Sequence, residues 1–317
     1  MTGREGHVEH AGGRTWYRDV GESAPRRAPL LCLHGGPGST HHYFAPLERL
    51  ARDGRAVVVY DQVGCGRSEK RTDVAWSLGL FLDELDALRA ELGLDRVHLL
   101  GTSWGGMLAL EHALRRPGTL ASLILSSTLA CAADWEAEAR RLRDALPADV
   151  RAVLDRHEAA GTFDDPEYEA AIAVFDGRHF HRGEERPELQ RMRRERSLEA
   201  YRAMWGPNEW TMRGVLSGWD VRPQLAELDV PTLVLRGRHD LCTDAIAATL
   251  VGGIREAREV LLEHSSHTPV LEETERYLAL VGGFLDESEA GVTQRAGPGD
   301  RAPSTSRRRP PTRADTP

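Results

Sequence analysis

Residues 99–106 have the sequence LLGTSWGG, in which Ser103 stands between Gly101 and Gly105 in a G-x-S-x-G pattern. An apolar run leads into the pattern, and the helix-forming stretch MLALEHAL follows it. At a sharp turn from a strand into a helix, a serine takes a strained backbone conformation that lifts its hydroxyl above the sheet, and neighbouring glycines relieve the crowding. A serine at this place can also be an ordinary helix cap. Because strand, turn and helix follow in register, we predict that Ser103 is a nucleophile.

The sequence around this turn alternates between short apolar runs and helical patterns. The apolar runs predict buried strands at residues 29–34, 55–60, 96–100, 120–126, 231–235 and 259–262. Helical patterns lie between them, and the clearest has apolar residues at three- and four-residue steps from 78 to 92. Strands that alternate with helices of this length are joined by right-handed crossovers. The sequence therefore predicts an α/β fold with a mostly parallel central sheet.

Two segments interrupt or follow this alternation. From residue 130 to residue 210, charged residues are dense and strand-like runs disappear, which predicts an all-helical insertion. Residues 287–317 are rich in Pro, Ser, Thr, Gly and Arg, a composition typical of disordered chain. We therefore expect a core formed by residues 1–129 and 211–286, an insertion at 130–210 and a disordered tail at 287–317.

The composition argues against several classes of partner. The chain has 317 residues, with 41 Lys and Arg against 49 Asp and Glu and a net charge of −8, so it offers no basic surface for nucleic acid or for an anionic membrane. Its four cysteines have no C-x-x-C spacing, which argues against a disulfide framework and a zinc site. Neither a signal peptide nor an apolar run of membrane-spanning length is visible. We expect a cytoplasmic protein that is a monomer.

A glycine-rich loop directly follows the predicted strand at 29–34. Residues 34–38 read HGGPG, and a glycine pair at the carboxyl end of a strand lets backbone N–H groups face a cavity. Hydrogen-bond donors fixed in this way stabilise the oxyanion of a tetrahedral intermediate. A plain tight turn would use the same residue types, but the loop precedes the serine turn as an oxyanion loop should. We assign the donors to the backbone of Gly36 and Trp104, and we expect Gly35 to contact the substrate.

A serine hydrolase of this chain order needs an acid and then a histidine, both after the serine. Asp240 follows the predicted strand PTLVL, and His267 follows the predicted strand EVLL. Asp244 is an alternative acid, and His239 and His264 are alternative bases that lie closer to their strand ends. We prefer His267 because it opens the loop before a helix, from which an imidazole can reach the serine. The neutral imidazole would accept the serine proton, and the carboxylate would orient the ring.

Six stretches of the chain form a distinctive set. They are HGGPG (34–38), DQVGCGRS (61–68), GTSWGGMLAL (101–110), GPNEW (206–210), RGRHD (236–240) and SSHT (265–268). Together they resemble the proline iminopeptidases, and within that family the branch typified by the tricorn-interacting aminopeptidase. The resemblance implies an α/β-hydrolase fold with a helical cap over the site, and it aligns Ser103, Asp240 and His267 with the catalytic triad. It also implies a cis peptide bond before Pro37 and a structural role for DQVGCGRS, with no chemical role for Asp61.

The same resemblance implies that Glu209, in GPNEW, receives the protonated N-terminal amine of a peptide. A buried carboxylate pairs well with an ammonium and rejects a blocked N-terminus, because a blocked substrate leaves the charge unpaired. Without the resemblance, Glu209 would be interpreted as a solvated loop residue. The sequence departs from the family at one place, since a second amine-binding glutamate usually follows the catalytic aspartate and Leu241 stands there instead. The Thr-Pro that usually comes next is altered to Thr243-Asp244.

These expectations converge on a serine exopeptidase that releases an N-terminal proline, or another small apolar residue, from short peptides through an acyl-enzyme. Such chemistry needs no metal and no cofactor. An amidase or esterase acting on amino-acid amides or other small acyl substrates is the alternative, because the same catalytic groups would serve it. A non-catalytic ligand sensor is a third hypothesis, which the intact Ser, His and Asp set disfavours. Dehalogenase and epoxide hydrolase chemistry would require an aspartate in place of Ser103.

Overall fold

The computed structural model describes residues 3–25, 27–71 and 74–295. Within them, eight strands form one sheet: Gly3–His10 (β1), Gly13–Val20 (β2), Leu30–Leu33 (β3), Val57–Tyr60 (β4), Val97–Thr102 (β5), Leu120–Ser126 (β6), Thr232–Gly237 (β7) and Ala257–Leu262 (β8). The α-helices are Leu78–Glu91 (α1), Trp104–Arg115 (α2), Ala132–Asp144 (α3), Ala148–Ala160 (α4), Pro166–His179 (α5), Pro187–Glu195 (α6), Leu198–Met204 (α7), Asp244–Gly253 (α8), Pro269–Glu272 (α9) and Thr274–Arg295 (α10). Residues His41–Asp53 and Arg222–Glu227 form 3₁₀ turns.

The sheet has the strand order β1-β2-β4-β3-β5-β6-β7-β8. All pairs from β4 to β8 in this order are parallel, and the pairs β1–β2 and β2–β4 are antiparallel. Every residue of β3 to β7 is buried, as expected for parallel strands covered by helices on both faces. This confirms the predicted α/β class and the mostly parallel sheet. Because β3 and β5 are neighbours, the loop after β3 and the serine turn after β5 lie side by side.

The first two strands form a hairpin that the sequence analysis does not predict. Its residues pair from Gly3 with Val20 to His10 with Gly13. β1 is largely exposed, with Val8 as its one buried residue, so its sequence carries almost no apolar signal. The hairpin extends the sheet at the edge away from the serine turn and does not contribute to the site.

Helices α3 to α7 lie between β6 and β7 in the chain and form the all-helical insertion that the sequence predicts. Cys131 and Asp220 pair in an antiparallel bridge at the two ends of this region. Next to it, the backbone N–H of Val221 donates to the carbonyl of Ala130 at 2.9 Å. The points at which the chain leaves and re-enters the core are therefore adjacent. We call residues 131–220 the cap.

The last helix, α10, continues through Arg295, so the expectation of disorder from residue 287 onward is wrong as far as that residue. Glu289 on this helix accepts a hydrogen bond from the buried guanidinium of Arg55 at 2.6 Å. A polar composition does not reveal that such a contact orders the chain. The rest of the predicted tail, residues 296–317, lies outside the described residues. None of the helices that the structure describes is both long and apolar enough to cross a membrane.

Candidate active site

The serine turn joins β5 directly to α2 and holds Ser103 at φ 55° and ψ −124°. A positive φ is uncommon for a residue other than glycine and marks local strain of the kind found at active sites. The glycines permit close approach, since a Cβ at Gly105 would overlap the carbonyl of Leu33 and one at Gly101 would overlap the carbonyl of Gly105. The Ser103 side chain makes no capping hydrogen bond to α2. Ser103 is therefore not an ordinary helix cap.

Asp240 and His267 lie in the loops after β7 and β8, and their side chains are in contact. His267 Nδ1 donates to Asp240 Oδ1 at 2.7 Å, and the backbone N–H of Cys242 donates to the same oxygen at 3.0 Å. Both side chains are buried. Because Nδ1 carries the proton in this hydrogen bond, the lone pair of the neutral ring lies on Nε2, which is the atom a general base would use.

Asp240 and His267 stabilise each other's charged forms. Burial opposes ionisation of Asp240, but the charge and hydrogen bond of His267 outweigh it and hold the pKa of Asp240 below its usual range. Burial likewise opposes protonation of His267, but Asp240, with a contribution from Glu209, raises the pKa of His267 above its usual value. The arrangement therefore favours an imidazolium during a reaction that transfers a proton to the ring.

The alternatives that the sequence left open lie elsewhere. His264 is exposed, and its backbone N–H donates to Glu273 at 3.0 Å. Asp244 is exposed and pairs with Arg236. His239 and Asp244 line a different cavity. None of the three alternative residues lines the cavity that holds Ser103.

Ser103 and His267 both line a cavity of about 410 Å³ that is walled by residues of the core and of the cap. Within the part of the chain that the structure describes, the Ser103 hydroxyl makes no hydrogen bond to His267. Contacts of this kind often become short only when substrate binds. The rings of Trp135 and Phe180 pack against His267, with centroids 5.7 and 5.6 Å away. A cavity of this volume accommodates a small ligand.

The HGGPG loop presents free backbone donors to the same cavity. Gly36 has φ 112° and is followed by a cis peptide bond to Pro37, as the resemblance implies. Among the described residues, no acceptor is bonded to the backbone N–H of Gly36 or of Trp104. The N–H of Gly35, in contrast, donates to the Tyr43 hydroxyl at 2.6 Å. Gly35 lines the cavity, but its N–H is already used.

Gln62 links the two segments that carry these donors. Its Oε1 accepts from Trp104 Nε1 at 2.8 Å, and its Nε2 donates to the carbonyl of His34 at 2.9 Å. Its backbone N–H also donates to His34 Nε2 at 2.9 Å. This fits the structural role expected for DQVGCGRS, although no residue pattern within the motif distinguishes Gln62. The only signal for it was its place in that motif.

Glu209 lies on the cap side of the cavity rather than in a solvated loop. Tyr201 Oη donates to its Oε1 at 2.7 Å, and Trp135 Nε1 donates to its Oε2 at 3.1 Å. Burial raises the pKa of Glu209 above its usual value, although both hydrogen bonds and His267 act in the opposite direction. Sequence reasoning missed Tyr201 and Trp135, because on cap helices they look like ordinary core aromatics. Both carboxylate oxygens therefore accept a hydrogen bond from the cap, and Glu209 lines the same cavity as Ser103.

Comparison with known proteins places this geometry in a family. Residues 28–274 match the α/β hydrolase fold family. A proline iminopeptidase of Clostridium botulinum is 40% identical over 290 residues, which cover 90% of this chain and 99% of that protein. The chain belongs to the proline iminopeptidase family of α/β-hydrolases. A proline iminopeptidase of Lactobacillus helveticus is 39% identical over 290 residues, covering 90% of this chain and 98% of the relative.

Solved structures of similar proteins agree with this family assignment. The crystal structure of proline iminopeptidase from Mycobacterium smegmatis superposes with a TM-score of 0.82 at 38% identity, covering 91% of this chain and 100% of that one. The crystal structure of VinJ gives a TM-score of 0.86 at 39% identity, covering 90% and 98%. The predicted resemblance to proline iminopeptidases, the α/β-hydrolase fold and the prediction of a hydrolase are confirmed.

Proposed function

We propose that the protein is a serine aminopeptidase that releases an N-terminal proline, or another small apolar residue, from short peptides. The observation that carries this proposal is the half-buried carboxylate of Glu209, which lines the same cavity as Ser103 and His267. A free N-terminal amine is cationic at neutral pH and pairs with such a carboxylate. The relatives named proline iminopeptidase support the choice of proline.

The chemistry follows from the positions of the candidate residues. Ser103 Oγ attacks the carbonyl carbon of the N-terminal residue while His267 Nε2 accepts the hydroxyl proton. Asp240 holds the ring and stabilises the imidazolium, and the N–H groups of Gly36 and Trp104 bind the oxyanion. The imidazolium then gives its proton to the leaving amine, and an acyl-enzyme forms. Water, deprotonated by the same ring, hydrolyses the ester and restores the hydroxyl.

The cap explains why such an enzyme would be an exopeptidase. Glu209 is fixed by Tyr201 and Trp135, so the substrate amine has to come to it. An acylated N-terminus would leave this carboxylate unpaired, which is costly in an enclosed site. The cavity of about 410 Å³ limits what can extend beyond the amine. Short peptides with a free N-terminus fit these constraints.

A second candidate function is an amidase or esterase for amino-acid amides or other small acyl substrates. Leu241 favours it, since this side chain lines the cavity with an apolar surface. The triad would act in the same way on an amide or an ester. The two functions differ in how strictly they require a free amine.

The two functions are separated by three substrates. We expect proline p-nitroanilide to be hydrolysed far better than its N-acetyl derivative and better than a short-chain p-nitrophenyl ester, judged by kcat/KM. Equal turnover of the free and blocked anilides would contradict the aminopeptidase and favour the alternative. Labelling by a fluorophosphonate, lost in Ser103→Ala, tests the nucleophile separately. Cytoplasmic location, the monomeric state and the absence of nucleic-acid and membrane partners stay predictions.

A further inference from the structure

Helix α5 of the cap contacts the segment that carries Glu209 through one hydrogen bond and one aromatic pair. Asn208 Nδ2 donates to the Tyr168 hydroxyl at 2.9 Å, and the rings of Phe175 and Trp210 pack edge to face with centroids 4.9 Å apart. The two contacts involve both neighbours of Glu209 in the chain. They fix the position of α5 along this segment and its rotation about its own axis.

The carboxyl end of α5 forms hydrogen bonds with the loops that carry Asp240 and His267. The carbonyl of His179 accepts from the backbone N–H of His267 at 3.2 Å. The ring of His179 donates from Nδ1 to the carbonyl of His239, the residue before Asp240, at 3.0 Å. A side chain one turn before His179 is therefore held at a defined place between the triad and Glu209.

Asp176 occupies that place. It lies on the same face of α5 as Ile172, and Phe180, the residue after the helix, continues this face; all three residues line the cavity with Ser103. Among the described residues, no donor and no cation lies within hydrogen-bond or ion-pair distance of its carboxylate. An unpaired carboxylate in an enclosed and partly apolar site is costly unless a cation binds there.

The charged groups that act on Asp176 come from helix α6 and the residue after it, from the Glu209 segment and from the loop after β8. Burial raises the pKa of Asp176 to about 6, Arg193 and Arg196 act to lower it, and Glu209 acts to raise it. His267 also lowers it. Arg193, which also lines the cavity, pairs with Glu185 at 3.1 Å. At neutral pH Asp176 is therefore mostly ionised and still lacks a partner at contact distance.

We propose that Asp176 is a second substrate-binding carboxylate, which shares the protonated amine of the substrate with Glu209. A protonated N-terminal proline has two N–H donors on its ring nitrogen, so two carboxylates are enough to satisfy it. A primary ammonium has a third donor for which these two groups provide no further partner. This inference rests on the proposed aminopeptidase function, and it gives that function a reason to prefer proline.

The test uses Asp176→Asn and a pair of substrates that differ at one ring atom, which is a cationic donor in one substrate and a neutral acceptor in the other. One is proline p-nitroanilide, and the other is the p-nitroanilide of oxolane-2-carboxylic acid, in which an ether oxygen replaces the ring nitrogen. We expect the variant to raise KM for the proline substrate about tenfold, equivalent to about 1.4 kcal/mol, with little change in kcat. Turnover of the uncharged analogue should be unchanged. An equal loss with both substrates, or no change with proline, would overturn the proposal.

Two further variants test whether a loss in Asp176→Asn comes from the overall charge of the cap or from an unstable variant. Asp149→Asn makes the same chemical change on the exposed face of cap helix α4, away from the cavity, and should leave both substrates unaffected. Asp176→Ser should reproduce the selective loss if Asp176→Asn proves unstable. A loss in the Asp149→Asn control as large as that in Asp176→Asn would assign the effect to the overall charge of the cap and contradict a binding role.

A binding measurement separates failure of this inference from failure of the proposed function. Pyrrolidine is a secondary ammonium ion at neutral pH and should protect Ser103 against a fluorophosphonate. We expect Asp176→Asn to need about tenfold more pyrrolidine for equal protection. If the native enzyme does not hydrolyse proline p-nitroanilide, the aminopeptidase function fails, but this assay still tests Asp176. Unchanged protection in the variant would contradict its role in binding cations.

Discussion

The cavity has two walls that are built in different ways. The core wall carries Ser103, His267 and the Gly36 loop, each of which follows the carboxyl end of a parallel strand. The cap wall carries Asp176 and Glu209, together with aromatic side chains from separate helices. Strand ends in such sheets converge at one edge whatever the ligand. In the function we propose, the core wall therefore supplies the groups that cleave the bond, and the cap wall supplies the groups that select the substrate.

This division predicts the largest effect for Glu209→Gln on charged substrates. Removing the charge of one partner of an enclosed charge pair costs about 2 kcal/mol, so we expect kcat/KM for proline p-nitroanilide to fall about 30-fold, mainly through KM. The rate of fluorophosphonate labelling at Ser103 should change far less. Steady-state kinetics of the two reactions side by side provide the measurement. Parallel losses in both would mean that the walls do not act separately.

The pH dependence of kcat/KM tests whether Glu209 in the cap wall affects the pKa of His267 in the core wall. His267 has to be neutral to act as a base, and its pKa is raised above 6.5 by Asp240 and Glu209 against the effect of burial. kcat/KM should therefore fall about tenfold per pH unit below a midpoint that lies above pH 6.5. Glu209→Gln removes one of the groups that raise this pKa, so the midpoint should move to lower pH. A pH profile of both enzymes checks this, and a shift to higher pH would contradict it.

Within the core wall, Gln62 should affect turnover and leave substrate binding unchanged. Gln62→Met keeps the length of the side chain but loses the hydrogen bonds to Trp104 and His34. Small displacements of oxyanion donors are costly, and we expect kcat to fall about tenfold with KM unchanged. Single-turnover kinetics would resolve the acylation step. A change confined to KM would assign Gln62 to substrate binding instead.

The smallest expected effect is that of Tyr201→Phe in the cap wall. The variant loses one hydrogen bond to Glu209, worth about 1 kcal/mol, so KM for proline p-nitroanilide should rise about fivefold. kcat should be unaffected. Trp135 still holds the other carboxylate oxygen. A decrease in kcat as large as the increase in KM would show that Tyr201 also acts on the chemical step.

The two walls also differ in how well the sequence predicts them. Ser103, Asp240 and His267 follow apolar strands, and each strand can be located from its own residues, so the argument from spacing places all three at one edge of the sheet. Glu209 is predicted only through the resemblance of GPNEW to a family motif. Asp176 has no local signal, because its importance depends on how α5 packs against another segment. Periodicity in one helix contains no information about that packing.

The sequence also fails to predict two elements outside the site, for a different physical reason. The β1–β2 hairpin and the last turns of α10 are stabilised by polar contacts that composition does not reveal. The pair formed by Arg55 and Glu289 joins residues more than 200 positions apart in the chain. Apolar patterns report burial, and they do not report a charged side chain that is buried with its partner.

The bridge between Cys131 and Asp220 has an evolutionary consequence. Paired strands lie about 5 Å apart, so the two ends of the hydrolytic scaffold almost touch where the cap is attached. A lineage could lengthen, shorten or exchange everything between those two residues without altering the geometry of bond cleavage. New specificities could then arise by replacing one continuous cassette of the gene, while the nucleophile and its acid–base partners are inherited intact.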